Sequence, residues 1–234
     1  MDYAFSAILF DLDGTLLDNH MDVFLPHYFR RLADRVSHIL PPDRFIARLM
    51  QGSQAMMDND GGMTNEEVFA EAFFPLAGHS REEMEPIFMD FYAHDFPALR
   101  QYTDRKPEAR SVVQAAFDRG HDVVIATNPL FPASAIYQRL EWAGVADFPY
   151  RWVTTYENSR ACKPNLLYFW HILEAIGQPP EACLVVGDEN MDMVAAHLGC
   201  ATYLVPGPAT ELAPTTPEPT YRGTLADVGE MLSG

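Results

Sequence analysis

Two aspartates that lie two positions apart, Asp11 and Asp13, follow the apolar stretch at residues 4–10. An apolar stretch without alternation is typical of a strand buried on both faces, so both carboxylates are expected at the carboxyl end of a central strand. Two ionised carboxylates in one cleft repel each other and need a cation, a shared proton or strong hydrogen bonds. Oxygen ligands at a strand end suit Mg²⁺ together with phosphate oxygens. The alternative is a plain turn, because Asp13-Gly14 is a common turn dipeptide.

A second pair of polar residues, Thr127 and Asn128, follows the apolar run at residues 123–126. The Thr127 hydroxyl and the Asn128 amide could hold phosphate oxygens at the end of a second strand. Thr is also a common residue in strands, and for Thr127 taken alone this structural role is the simpler explanation.

Lys163 is one of two lysines in a chain that has 16 Lys and Arg against 33 Asp and Glu. It precedes Pro164 and a helical pattern, and its ammonium could supply the positive charge that a transferring phosphoryl group needs. The alternative is a solvated surface lysine, as most lysines are.

Asp188 and Asp192 follow another apolar run, at residues 184–186. If a helix begins near Asn190, both carboxylates lie close to the end of that strand and could bind the same Mg²⁺, Asp188 more firmly than Asp192. The alternative is capping, because acidic side chains are also favoured at a helix N-terminus.

The elements that must position these residues alternate between strand and helix. Apolar runs predict strands at 4–10, 122–126, 152–155, 183–186 and 201–205, and helical patterns occur at 107–119, 135–142, 166–176, 191–198 and 224–232. Such alternation predicts an α/β fold with a doubly wound parallel sheet. Residues 206–222 are rich in Pro and Thr and are interpreted as an extended surface loop.

Residues 18–100 have a different pattern, with apolar side chains at helical spacing throughout. Thr64 and Glu67, and again Ser80 and Glu83, have the spacing of a capping box. We therefore expect an all-helical insert at 18–100 between two core segments at 1–17 and 101–234. Asn19, His20 and the loop at 58–62 could approach a substrate, although a structural role is the simpler explanation for each.

The stretch Asp11-Leu12-Asp13-Gly14-Thr15 resembles the first motif of the haloacid dehalogenase-like (HAD) hydrolase superfamily. Three more segments resemble the later motifs of that superfamily, in its order: Thr127-Asn128, Lys163-Pro164 and Gly187–Asp192. The resemblance covers residues 5–205, except that the insert matches only in size and helical character. It implies a Rossmann-like HAD core, and it implies that the insert is a helical cap that closes over the site and selects the substrate.

The resemblance also implies a role for each residue of the motifs. Asp11 is the nucleophile that forms an aspartyl-phosphate, and Asp13 is the general acid and base, with its backbone carbonyl facing the metal. Thr127 and Lys163 complete the catalytic set and, with Asn128, bind the phosphate. The Mg²⁺ ligands are Asp11, Asp13, Asp188 and Asp192.

The expected function is therefore Mg²⁺-dependent hydrolysis of a small phosphorylated metabolite. A phosphosugar mutase would use the same motifs, and a non-catalytic phosphate-binding protein could retain them. A haloacid dehalogenase is disfavoured, because family members that cleave carbon–halogen bonds lack an acid at the position of Asp13.

The composition restricts the classes of partner. The chain has 234 residues and a net charge of −17, which argues against binding to nucleic acid or to an anionic membrane. No apolar run approaches the ~18 residues of a membrane-spanning helix, and the N-terminus lacks the basic region of a signal peptide. Three cysteines without a CxxC motif are expected to be free thiols in a reducing cytoplasm. The sequence leaves the oligomeric state open.

Overall fold

The computed structural model describes residues 5–208 and 210–233, so the predicted strand residue 4 lies outside the described part. The strands are β1 (Ala7–Phe10), β2 (Leu17–Asp18), β3 (Asp104–Arg105), β4 (Asp122–Ile125), β5 (Trp152–Val153), β6 (Cys183–Gly187), β7 (Ala201–Leu204) and β8 (Tyr221–Arg222). The helices are α1 (Met21–Val36), α2 (Pro42–Met57), α3 (Asn65–Ala77), α4 (Arg81–His94), α5 (Ala109–Asp118), α6 (Ala133–Ala143), α7 (Leu166–Ile176), α8 (Asn190–Met193) and α9 (Leu225–Ser233).

Six of the strands form a parallel sheet in the order β5-β4-β1-β6-β7-β8. β1 lies between β4 and β6, and Phe10 is paired with Ile125 on one side and with Val186 on the other. Because parallel strands end at the same edge, this register brings Asp11, Ala126 and Gly187 together where the three strands end.

Both faces of the sheet are covered, which explains the absence of alternation in β1. Ile8 and Phe10 are fully buried on one face, in the core cluster that contains apolar residues of α1, α5, α6 and α9. Ala7 and Leu9 are fully buried on the opposite face, among residues of α7. The predicted doubly wound parallel sheet is therefore confirmed.

Residues between β2 and β3 form α1–α4 and a 3₁₀ segment at Phe96–Tyr102. Both predicted capping boxes are present, at Thr64 with Glu67 before α3 and at Ser80 with Glu83 before α4. β2 and β3 pair antiparallel at the base of this helical segment. None of the helices in the described ranges is long and apolar enough to cross a bilayer.

Several elements differ from the sequence-based predictions. The loop predicted at 206–222 ends in β8, a sixth strand of only two residues, which pairs in parallel with β7. The short strands β2 and β3 have no strand-like pattern in the sequence, because each is two residues long. α5 begins at Ala109 rather than at 107, and the helix predicted at 191–198 is α8 followed by a 3₁₀ turn, Val194–Leu198.

Candidate active site

Asp11 and Lys163 form a buried ion pair at the carboxyl end of β1. The Asp11 backbone N–H donates to the Val186 carbonyl at 2.9 Å, which extends the pairing of β1 with β6 by one residue. Lys163 Nζ donates to Asp11 Oδ1 at 2.8 Å and to Asp192 Oδ1 at 2.5 Å. Burial opposes the charged form of Lys163, but the two carboxylates outweigh it and hold the pKa of Lys163 well above its ordinary value.

Three carboxylates converge beside this ion pair. Oxygens of Asp11, Asp188 and Asp192 lie within 4.8 Å of one another. Burial raises the pKa of Asp188 to about 8, and the negative charges of Asp11 and Asp192 add to the rise. Carboxylates that repel each other so strongly at this spacing form a set of oxygen donors that suits a hard divalent cation.

The loop after Asp13 packs closely against Asp188. Gly14 has a φ of +86°, and a Cβ atom added to it would lie 2.1 Å from Asp188 Oδ2. The buried Thr15 hydroxyl donates to Asp188 Oδ1 at 3.2 Å, and Lys106 Nζ donates to the Gly14 carbonyl. Only glycine fits this position, because any side chain would displace the carboxylate and strain the backbone.

The Asp13 side chain is held by two polar partners outside the acidic cluster. Its Oδ1 accepts a hydrogen bond from Asn19 Nδ2 at 2.7 Å, and its Oδ2 forms an ion pair with Arg139, whose side chain is 1% exposed. Burial raises the pKa of Asp13 and the charge of Asp11 adds to this, whereas Arg139 and Asn19 oppose the rise. The structure therefore places a second carboxyl group, with a raised pKa, near Asp11.

Thr127 and Asn128 lie at the end of β4, as predicted. The Thr127 carbonyl accepts hydrogen bonds from Thr154 Oγ1 at 2.6 Å and from Tyr168 Oη at 2.9 Å, which fixes the backbone there. Asn128 Oδ1 accepts from the Lys163 backbone N–H at 3.2 Å. The structure thus brings these two residues to the same sheet edge as Asp11, Lys163, Asp188 and Asp192.

The helical segment is attached to the core at the first residue of α3. Asn65 is fully buried, and its Nδ2 donates to the Pro129 carbonyl at 3.1 Å and to Cys162 Sγ at 3.3 Å. Its backbone N–H donates to the Ser159 carbonyl at 2.8 Å. This single residue therefore contacts both the loop after Asn128 and the loop before Lys163.

The other candidate residues of the helical segment differ in burial and in the residues that they contact. Asn19 is 3% exposed and bonds to Asp13, whereas His20 is half exposed and lies 3.3 Å from Asp18. The loop at 58–62 lies on the core, since a methyl group added at Gly61 would be 3.6 Å from side-chain atoms of Leu167 and His171 of α7. This places the loop against α7 rather than at the acidic cluster.

Four residues at the site were not among the sequence-based candidates: Thr15, Asn65, Lys106 and Arg139. Lys106 had a detectable signal, because Lys106 and Lys163 are the only lysines in the sequence. Thr15 lies inside the first motif, but its partner Asp188 is 173 residues away. Arg139 lies in a helical pattern, where nothing local distinguishes a buried arginine from an exposed one.

The cysteines are buried free thiols. Burial raises the pKa of Cys162 to about 12, of Cys183 to about 11 and of Cys200 to about 12. All three are therefore protonated at neutral pH and poor nucleophiles, although Cys162 is adjacent to Lys163.

Comparison with known proteins identifies relatives of this chain by sequence and by fold. The chain is 29% identical over 190 residues to the phosphoglycolate phosphatase of Aquifex aeolicus (strain VF5), which covers 81% of this chain and 78% of the relative. It superposes on the crystal structure of a HAD phosphatase from Thermococcus onnurineus with a TM-score of 0.62 at 18% identity, over 98% of each chain.

The L-2-haloacid dehalogenase from Xanthobacter autotrophicus has the same fold. Its TM-score is 0.58 at 16% identity, over 98% of this chain and 99% of that one. A sequence model of the family described as haloacid dehalogenase-like hydrolase matches residues 5–198. The chain therefore belongs to the haloacid dehalogenase-like hydrolase family.

Proposed function

We propose that the protein is a Mg²⁺-dependent phosphatase that hydrolyses a small phosphate monoester through an aspartyl-phosphate on Asp11. The observation that carries the proposal is the arrangement around Asp11, where a buried lysine, an acidic cluster and a second carboxyl group meet at one sheet edge. The likeness to the phosphoglycolate phosphatase of Aquifex aeolicus supports the same reaction class.

In the first step, Asp11 attacks the phosphorus atom and the bond from phosphorus to the ester oxygen breaks. Lys163 already neutralises Oδ1 of Asp11, so Oδ2 is the attacking oxygen. Asp13 enters this step protonated and gives its proton to the departing alkoxide. Burial, which raises the pKa of Asp13, helps it to bind that proton. Thr127 and Asn128 bind oxygens of the phosphoryl group, and the charge of Lys163 stabilises the developing negative charge.

In the second step, a water molecule attacks the phosphorus atom of the aspartyl-phosphate. Asp13, now ionised, accepts the proton of that water, and the bond from phosphorus to Asp11 breaks. The products are inorganic phosphate and the free Asp11 carboxylate. Asp13 is protonated again, as it was before the first step. Asp11 first accepts and then releases the phosphoryl group, and Asp13 first donates and then accepts a proton. Both side chains must therefore stay in place through both steps.

The metal ion would be held by Asp11, Asp188 and Asp192, and by the backbone carbonyl of Asp13. The carboxylates fit it because their mutual repulsion at this spacing is relieved by a divalent charge. When bound, Mg²⁺ would supply positive charge for the phosphate oxygens and for Asp11.

We also propose that residues 18–100 act as a cap on a core of residues 1–17 and 101–234. β2 and β3, which pair at the base of α1–α4, are the two strands through which the chain leaves and re-enters the core. A segment attached in this way can exclude water from the site and select the substrate. We also propose that the protein functions in the reducing cytoplasm, which is consistent with its three free, buried thiols.

The test is release of inorganic phosphate from a panel of phosphate monoesters, with Mg²⁺ and with a chelator. We expect release that needs the metal and that Asp11→Asn abolishes. Asp43→Asn is the matched control, because Asp43 is an exposed aspartate of α2 outside the site. Metal-independent release, or full activity of Asp11→Asn, would contradict the proposal. A requirement for a bisphosphate without net release of phosphate would indicate a mutase instead.

A further inference from the structure

A cavity of about 490 Å³ lies between the helices of the cap and the core. Its walls come from all four cap helices, from the loop at 130–132, from α6 and from residues 156–157. Pockets of this size hold small organic molecules, and ~300–1,000 Å³ is usual for them. Most of the lining is apolar or aromatic, including Leu25, Tyr28, Phe69, Phe74, Phe88 and Phe131.

Two residues of the cavity wall connect it, through one further residue each, to the catalytic residues. Phe131 lines it, and the Cζ atom of Arg139 lies 4.5 Å from the centre of the Phe131 ring, while Arg139 in turn is paired with Asp13. Two consecutive side-chain contacts, from Phe131 to Arg139 and from Arg139 to Asp13, therefore connect the cavity wall to the residue that protonates the leaving alkoxide in the proposed reaction.

The second connection runs along the backbone of α2 to the phosphate-binding side. Met56 lines the cavity, and its neighbour Met57 places Sδ 3.9 Å from Asn128 Nδ2. A phosphate ester whose phosphoryl group is bound at Asn128 and whose ester oxygen faces Asp13 would extend its alcohol part towards this cavity.

The charges around the cavity disfavour an anion. Arg81 is the only lysine or arginine among the described residues that line the cavity. Its guanidinium is already paired with two acidic side chains. Arg81 Nη2 donates to Glu66 and, at 2.9 Å, to Glu85, and Nε donates to Glu85 at 3.2 Å. A third acid, Glu157, also lines the cavity and accepts the Ala133 backbone N–H at 2.9 Å. An anionic group placed here would meet three carboxylates and a cation that is already paired.

One polar atom of the lining lacks a partner among the described residues. Gln138 Nε2 donates to the Tyr92 carbonyl at 2.7 Å, but its Oε1 is buried without a hydrogen bond. Buried acceptors are normally satisfied, so Gln138 is an unsatisfied polar residue at the edge of a largely apolar lining.

We propose that the substrate is the phosphate monoester of an uncharged, largely apolar alcohol, and that the alcohol part occupies this cavity. The proposal rests on the phosphatase function proposed above. It separates this chain from an enzyme for phosphoglycolate, whose leaving group carries a carboxylate and would be repelled by the lining.

The test compares 2-phenylethyl phosphate with 2-phosphoglycolate, and uses acetyl phosphate as a substrate too small to enter the cavity. We expect kcat/KM for 2-phenylethyl phosphate to exceed that for phosphoglycolate by at least about 100-fold, given what a matched pocket contributes. Equal values, or a preference for phosphoglycolate, would overturn the proposal. No phosphate from any of the three, acetyl phosphate included, would refute the phosphatase function instead.

Variants that fill the cavity test its location. Ala70→Trp should raise KM for 2-phenylethyl phosphate about tenfold and leave acetyl phosphate turnover unchanged, because Ala70 lines the cavity but lies outside the catalytic set. Ser53→Trp fills it from α2 and replaces Ala70→Trp if that variant does not fold. Glu71→Trp, at an exposed position of α3, is the control. Unchanged KM in both folded cavity variants would show that the alcohol binds elsewhere.

Discussion

The guanidinium of Arg139 is paired with the carboxylate of Asp13, although the two residues are 126 positions apart. Arg139 is 1% exposed, and its Nε and Nη2 atoms have no partner within the described part of the chain. A buried arginine held by one carboxylate fixes the direction in which that carboxylate points. In the proposed reaction, Arg139 is therefore a positioning residue for the group that transfers the proton.

The fall in kcat caused by loss of the Arg139–Asp13 contact should depend on the leaving group of the substrate. We expect Arg139→Met to lower kcat about 100-fold for an alkyl phosphate, whose alkoxide needs a proton, and much less for acetyl phosphate, whose leaving group does not. Asp13→Asn should show the same dependence, and Arg139→Lys should restore part of the rate. An equal loss for both substrates in Arg139→Met, with Asp13→Asn still selective, would limit Arg139 to a structural role.

The acidic cluster predicts how metal binding depends on pH. Burial and its acidic neighbours raise the pKa of Asp188 to about 8, well above the ordinary value of 3.8. In the metal-free protein this group therefore stabilises the fold at low pH, and its contribution is lost as the pH rises from about 4 to about 8. A cation that binds the ionised Asp188 carboxylate restores the stability lost at high pH.

The increase in Tm caused by Mg²⁺ should accordingly be larger at about pH 8.5 than at about pH 6, since a proton must leave at the lower pH. Thermal unfolding with Mg²⁺ and with a chelator measures this directly. Asp188→Asn should remove the Mg²⁺ response, and the exposed control Asp43→Asn should keep it. A response that is independent of pH would mean that Asp188 does not release a proton on binding.

Gly14 offers a test in which backbone strain can be separated from steric conflict. Gly14→Ala introduces a side chain at a φ of +86° and places Cβ 2.1 Å from Asp188 Oδ2. Gly120→Ala is the matched control, because Gly120 has a φ of +77° and an added Cβ would meet nothing within 4 Å.

Both variants should lose about 1–2 kcal/mol of stability from the strained backbone. Only Gly14→Ala should also lose Mg²⁺ binding, measured by calorimetry, because only it displaces Asp188. Normal Mg²⁺ affinity in a folded Gly14→Ala protein would show that Asp188 can move aside without loss of the metal.

Much of the site could be predicted from local sequence. The unbroken apolar runs before Asp11, Thr127 and Asp188 predict parallel strands, and the residues that come directly after parallel strands must lie at one edge of the sheet. The structure places these residues, with Lys163 and Asp192, at that edge. The capping boxes at Thr64 and Ser80 were equally predictable, because a capping box involves residues only three positions apart.

The features that the sequence could not predict depend on contacts between distant segments. The partners of Asp13 and of Asp188 include residues on other elements, and no local pattern distinguishes Arg139 from an exposed helical arginine. β8 was missed because two residues cannot form an alternating or apolar run, and its pairing depends on β7 being placed first.

Asn65 gives the last prediction, on the coupling of the proposed cap to the loops that carry Asn128 and Lys163. Its side chain donates to the Pro129 carbonyl and to Cys162 Sγ, and its Oδ1 accepts from Asn59 at 2.8 Å. Asn65→Leu removes these hydrogen bonds and leaves buried polar groups unpaired, which should cost about 1–3 kcal/mol each. The loop that carries Lys163 should then become mobile, and kcat should fall.

The reactivity of the Cys162 thiol measures the mobility of this loop independently of enzyme activity, because Cys162 is 1% exposed and its thiol is hydrogen-bonded to Asn65. We expect a thiol reagent to modify Cys162 faster in Asn65→Leu than in the parent, with peptide mapping to separate it from the other two cysteines. Gln54→Leu removes an exposed amide of α2 and should change neither rate. If Asn65→Leu lowers stability but leaves Cys162 protected and kcat unchanged, the contact stabilises the cap without positioning Lys163.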